Sequence, residues 1–160
     1  MDTGVQRIDP DRLVDRLEIQ DLTTAYANSV DSRDWVRFEG LFVPDARIDY
    51  TSAGGTAGTP AEVAAWMPEA FAIFLWTMHS MSTQEIRFAD ADHASGSTHV
   101  IARHGVAWEG EEQLMDVGGT YADDYVRTVE GWRFAARTEH TVYFLGDSFA
   151  DVAREAARRG

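Results

Sequence analysis

The 160-residue sequence contains neither cysteine nor lysine. Without cysteine there are no disulfides, no thiolate metal ligands and no cysteine nucleophile. Without lysine there is no Schiff-base chemistry and no phosphate-binding P-loop. Long hydrophobic runs are also missing. The most apolar window, around residues 70–78, is far short of the roughly 20 residues that cross a bilayer. The acidic-polar start, MDTGVQRIDPDR, carries no signal-peptide core, so a cytoplasmic protein without a membrane partner is expected. Positive charge is scarce: 14 arginines face 27 acids, the net charge is −13 and the pI is about 4.6. Such a surface repels a phosphate backbone, so no nucleic-acid partner is expected. The all-arginine bias is read as genomic composition. HExxH, GxSxG and GxGxxG patterns are absent as well, and no metal or cofactor is expected. Chemistry falls to His, Asp, Glu, Tyr, Ser, Thr and Arg.

What is present describes one folded domain. A hydrophobic content of 44% with 26% charged residues suits a globular core, and a chain of this length buries roughly 68–70% of its unfolded surface. Apolar residues at helical spacing predict a first helix over 11–30, with Asp9 as a possible N-cap and Pro10 at its start. A short second helix is predicted over 34–42, closed by Pro44, then a strand over 46–50 and a Gly/Thr-rich loop. Thr59, Pro60 and Glu62 mark a third helix start, predicted to run to about Trp76 with a bend at Pro68. Period-two alternation then predicts strands over 80–89, 94–108, 114–129 and 132–144, and a terminal helix over 148–159. Three helices followed by a long meander is an α+β layout, with the sheet curving over the helices in a single domain spanning 1–160 and a core of about 11–145.

Several polar residues admit two readings each. His79 falls where the third helix is predicted to end, so it is either a helix C-cap or a general base. His104 is either a satisfied sheet histidine or a second acid–base group. Asp31 reads most simply as a cap for the helix beginning near Ser32. Tyr26 and Tyr50 read most simply as amphipathic core residues with the hydroxyl hydrogen-bonded. Arg137 and His140 lie near a strand end, where surface ion pairing is the ordinary outcome. Alternation puts Trp132, Phe134, Ala136, Thr138 and His140 on one face of the last strand and Arg133, Ala135, Arg137 and Glu139 on the other.

Together, YANSVDSRDW, RIDY, TMH, RHG and GGTYADDYVRTVEGWRFAAR resemble the SnoaL-like branch of the NTF2-like superfamily over roughly residues 12–144. In motif terms the similarity is to scytalone dehydratase and the bile-acid 7α-dehydratases. The resemblance implies a cone-shaped fold with N-terminal helices packed in a curved, mainly antiparallel sheet, assembled as a homodimer or homotrimer. It places the catalytic histidine on His79, the aspartate that orients it on Asp31, a tyrosine that holds a polarising water on Tyr50, and a second histidine on His104. Tyr26 matches the first-helix tyrosine of the bile-acid enzymes. Val30 stands where scytalone dehydratase has a tyrosine, and Thr120 and Ala122 stand where it has serine and asparagine, so the substrate-binding set is altered. The expected activity is cofactor-independent loss of water from a small, hydrophobic, ring-containing hydroxy-carbonyl compound. Trp35, Phe42 and Trp76 are candidate pocket walls, and Arg137 is a candidate contact for a substrate carboxylate or carbonyl. An isomerase or cyclase using the same base, and a non-catalytic binding or oligomerisation module, remain open.

Overall fold

The structure, a computed structural model, describes residues 9–108 and 110–146. The predicted terminal helix over 148–159 lies outside the described residues. Helix α1, Leu13–Asp31, follows a 3-10 turn at Pro10–Arg12, where the Asp9 side chain accepts from the Asp11 N–H. Its buried face carries Ile19, Leu22, Tyr26 and Val30, the stripe that helical spacing dictates. Helix α2, Trp35–Gly40, is capped by Asp34 accepting from the Arg37 N–H. It stops short of the predicted boundary because Phe42 already begins strand β1, Phe42–Asp49. Pro44 lies inside that strand, where the β1 pairing with the last strand changes register between Phe42 and Arg47. A proline missing its donor is tolerated at such an irregularity.

The predicted loop after Tyr50 holds a 3-10 turn, Thr51–Ala53, and a two-residue strand β2, Ala57–Gly58. Helix α3, Pro60–Ala70, opens with a complete Thr59–Glu62 capping box. It ends six residues before the predicted Trp76, and after a 3-10 turn the chain enters β3, Phe74–Phe88. The run FAIFLWTM fits either period, and pairing with the next strand decides the outcome. His79 therefore sits inside a strand opposite Ala102 rather than at a helix end. Strands β4, His93–Trp108, β5, Glu111–Thr128, and β6, Gly131–Leu145, complete the meander. The sheet order is β2-β1-β6-β5-β4-β3, parallel only between β1 and β6. This is the expected α+β architecture, with helix α1 packed on a six-stranded sheet. Among the described residues no helix is long and apolar enough to cross a membrane.

Strict alternation fails on β6. Between the Tyr125–Phe134 and Asp124–Ala136 pairs the β6 side carries one extra residue, Ala135. This bulge resets the facing of the side chains that follow it, up to a second shift at Val142. Trp132 and Phe134 point into the core, and so do Arg137 and Glu139 beyond the bulge. Arg137 is not the surface residue that its place in the strand predicted. It is fully buried, with Nε and Nη2 donating to the two carboxylate oxygens of Asp123 at 2.7 and 2.8 Å. Its guanidinium carbon lies 4.0, 4.3 and 4.2 Å from the ring centres of Tyr26, Tyr121 and Phe134, and the Tyr125 hydroxyl donates to Asp123 at 2.9 Å. Arg137→Met leaves the Asp123 charge buried without its cation. A loss of about 3–5 kcal/mol is expected in urea unfolding, most of it recovered in the Asp123→Leu/Arg137→Met double variant.

Candidate active site

Between the helices and the concave side of the sheet lies a cavity of about 610 Å³. Asp31 ends α1 beside β3, which presents Thr77 and His79 on one face two residues apart. The Asp31 carboxylate accepts from three donors. His79 Nδ1–H lies 2.7 Å and Thr77 Oγ1–H 3.0 Å from Oδ1, and the His79 backbone N–H lies 2.9 Å from Oδ2. Burial alone would raise the Asp31 carboxyl, but the hydrogen bonds from His79 and Thr77 and the charge of His79 together hold it below the ordinary carboxylate range. An ionised Asp31 fixes the proton on Nδ1 of His79 and leaves Nε2 as the free acceptor. The imidazole lines the cavity with its side chain only 6% exposed.

His104, on β4 opposite Thr77, lies with its ring centre 6.1 Å from that of His79 and 4.3 Å from that of Phe74. Burial and then the charge of His79 push it down to about 4, against smaller upward pulls from the Met115 carbonyl, Asp116 and Asp31. It is neutral at pH 7, and its Nδ1–H donates to the Met115 carbonyl at 3.2 Å. The Tyr26 and Tyr50 hydroxyls meet at 2.8 Å, beside Tyr121. Burial raises all three phenols, which therefore act as proton-bearing donors. The loop after Tyr50 folds back on it through Tyr50 N–H to the Thr56 carbonyl and Gly55 N–H to the Tyr50 carbonyl, both at 2.9 Å. A Cβ at Gly55 would meet the Tyr50 Cβ and carbonyl at 2.9 Å, so glycine is needed for this close return.

The cavity thus gathers Tyr26, Val30, Tyr50, His79 and His104 from the sequence-predicted set, with Asp31 bonded behind His79. The other predicted residues lie elsewhere. Trp35 packs on Phe38 and Phe71, and Phe42 is buried against Phe38 and Phe134. Trp76 lies against Gly105, its Nε1–H donating to Glu112 at 2.7 Å. Thr120 stands between the exposed His99 and His140 on the opposite sheet face from Tyr121, and Arg137 is engaged by Asp123. Sequence reasoning missed Glu139, which lines the cavity at 8% exposure. Its only signal was its place two residues after Arg137, hidden by the Ala135 bulge. No group of three or more His, Asp or Glu side chains is placed to hold a metal ion among the described residues.

A family model for the SnoaL-like domain matches residues 11–138. An uncharacterized protein of Mycobacterium tuberculosis is 35% identical over 126 residues, covering 78% of this chain and 84% of that protein. The gamma-hexachlorocyclohexane dehydrochlorinase of Sphingobium indicum is 26% identical over 136 residues, 85% of this chain and 86% of the enzyme. The crystal structure of a scytalone dehydratase-like protein of Novosphingobium aromaticivorans superposes with a TM-score of 0.75 at 23% identity, covering 84% of this chain and 88% of that one. That last likeness concerns the fold.

The low His104 value fixes a sign for acid stability. The unfolded chain takes up a proton at an ordinary histidine value, near 6.5, while the folded protein resists until about 4. Stability is therefore full above pH 6.5, falls as the pH drops towards 4, and then levels off, a loss of about 3 kcal/mol from this group. Urea unfolding at pH 7 and pH 4 should show that difference in the wild type and a markedly smaller one in His104→Gln.

Proposed function

The chain belongs to the SnoaL-like domain family of the NTF2-like superfamily, and from that membership we propose that it is a lyase that eliminates water from a neutral, ring-containing hydroxy-carbonyl compound. The observation that carries this reading is the Asp31–His79 pair, with Nδ1 engaged at 2.7 Å and the imidazole on the wall of a largely apolar cavity. His79 Nε2 removes a proton α to the carbonyl, and the Asp31 carboxylate stabilises the imidazolium that forms. The hydroxyls of Tyr26, Tyr50 and Tyr121 form one cluster of protonated phenols, a source of O–H donors for the oxygen on which enolate charge develops. Collapse of the enolate expels the β-hydroxyl.

The walls support the substrate class. Val30, Trp66, Met67, Phe71, Phe74, Ala102 and Val117 present apolar surface, and no arginine is among the described residues of the lining. With Arg137 held by Asp123, the described lining offers a carboxylate substrate no guanidinium to pair with. The volume suits a small ring system. A second reading is favoured by the dehydrochlorinase relative: the same base serves when chloride leaves from carbon in place of hydroxide.

The test uses a panel of cyclic β-hydroxy ketones in D₂O, read by NMR and mass spectrometry. Water loss from at least one member is expected, reduced roughly 10²–10⁴-fold in His79→Ala and in Asp31→Asn. α-Deuterium exchange without water loss would assign the base to an isomerase or cyclase. Undiminished water loss in a folded His79→Ala protein would remove His79 from the mechanism.

A further inference from the structure

Building on the elimination reading above, we infer that Glu139 is the acid that protonates the departing oxygen while His79 serves as the base. Glu139 lies on β6 and His79 on β3, with β5 and β4 between them in the sheet, yet sheet curvature brings both to one cavity. A substrate filling that space meets the two groups at different points of its outline.

The surroundings of Glu139 favour its protonated form. It is 8% exposed, and among the described residues its side chain accepts one hydrogen bond, a long one of 3.5 Å from the Thr141 hydroxyl. Arg137 faces the same interior two residues earlier, but its ion pair is with Asp123, and no cation lies within salt-bridge distance of Glu139 among the described residues. A buried carboxyl without a paired cation is cheapest in its neutral form. Burial accordingly raises its pKa, against smaller opposing pulls from His79, Thr141 and Arg137. The Ser52 hydroxyl donates to the Glu139 carbonyl at 2.6 Å and ties this stretch of β6 to the loop after Tyr50. His104 is a poor alternative donor, because it carries no second proton near neutral pH.

The step balances with these groups alone. His79 Nε2 takes the α-proton and the C–H electron pair passes into the enolate, whose collapse returns it to form the new C=C bond. The C–O bond breaks, its electrons stay on oxygen, and the Glu139 proton completes a water molecule. The Glu139 carboxylate and the His79 imidazolium then exchange the surplus proton through the water that refills the emptied cavity.

Glu139→Gln keeps the shape and removes the transferable proton. In the active wild type, kcat/KM for loss of water is expected to fall about 10²–10⁴-fold in this variant. α-Deuterium exchange, which needs only the base, should fall far less, as should elimination from a β-chloro analogue whose leaving group needs no proton. Equal loss of all three, or unchanged loss of water, overturns the assignment while leaving His79 as base. A wild type inactive on every panel member overturns the elimination reading and this assignment with it. A second measurement is independent of turnover. Followed by infrared spectroscopy across a pH titration, the wild type should keep a protonated-carboxyl stretch to higher pH than an ordinary glutamate does, and Glu139→Gln should lack it. Its absence from the wild type overturns the proposal.

Discussion

The carboxylate of Asp31 joins the two layers of the molecule. It belongs to the last turn of α1, yet all three of its side-chain donors come from β3. One of these is a strand N–H, which anchors the backbone and so fixes where the imidazole stands as well as which way it turns. Helix packing, strand register and histidine tautomer are thus settled by one group. A change that shifts α1 along the sheet moves the imidazole with it, so core packing and the geometry of the cavity are coupled.

Around that anchor, low dielectric sorts the ionisable groups by charge. Burial works in opposite directions on a base and an acid: it lowers His104 to about 4 and raises Glu139 and the phenols. Those groups are driven towards their uncharged forms, while Asp31 remains ionised because three hydrogen bonds offset its burial. Arg137 is charged as well, but Asp123 and three aromatic rings contain that charge within the core. The groups driven neutral by burial therefore face the cavity as hydrogen-bond donors and acceptors without a formal charge.

Most of this was legible in the sequence where spacing or motif was decisive. The α1 stripe, the Thr59–Glu62 cap and the long strands follow from local pattern, and Asp31, His79, Tyr50 and His104 were found through resemblance. The places that were not legible share a cause. Residues 70–78 satisfy helical and extended periodicity equally, and only the β4 partner decides between them. Arg137 read as a surface residue because an arginine in the core makes sense only once Asp123 and the rings around it are in place. Glu139 was hidden because a β-bulge leaves no local signature in composition, and strict alternation assigned it only to a set whose facing was open. Aromatic residues such as Phe42 and Trp35 were drawn to the pocket by type, whereas contacts with Phe38, Phe71 and Phe134 placed them in ordinary packing.

The extra residue at Ala135 also bears on how this chain tolerates change over time. Substitution along β6 alters one side chain at a time, and a neighbouring contact can adjust to it. Deleting a single residue there turns every later inward side chain outward, exposing Arg137 and Glu139 and driving Thr138 and His140 into the core. No single compensating replacement restores the pattern. A change of residue identity along β6 and a change of its length are thus unequal perturbations: the first alters one contact, the second reverses the facing of Arg137 and Glu139 together.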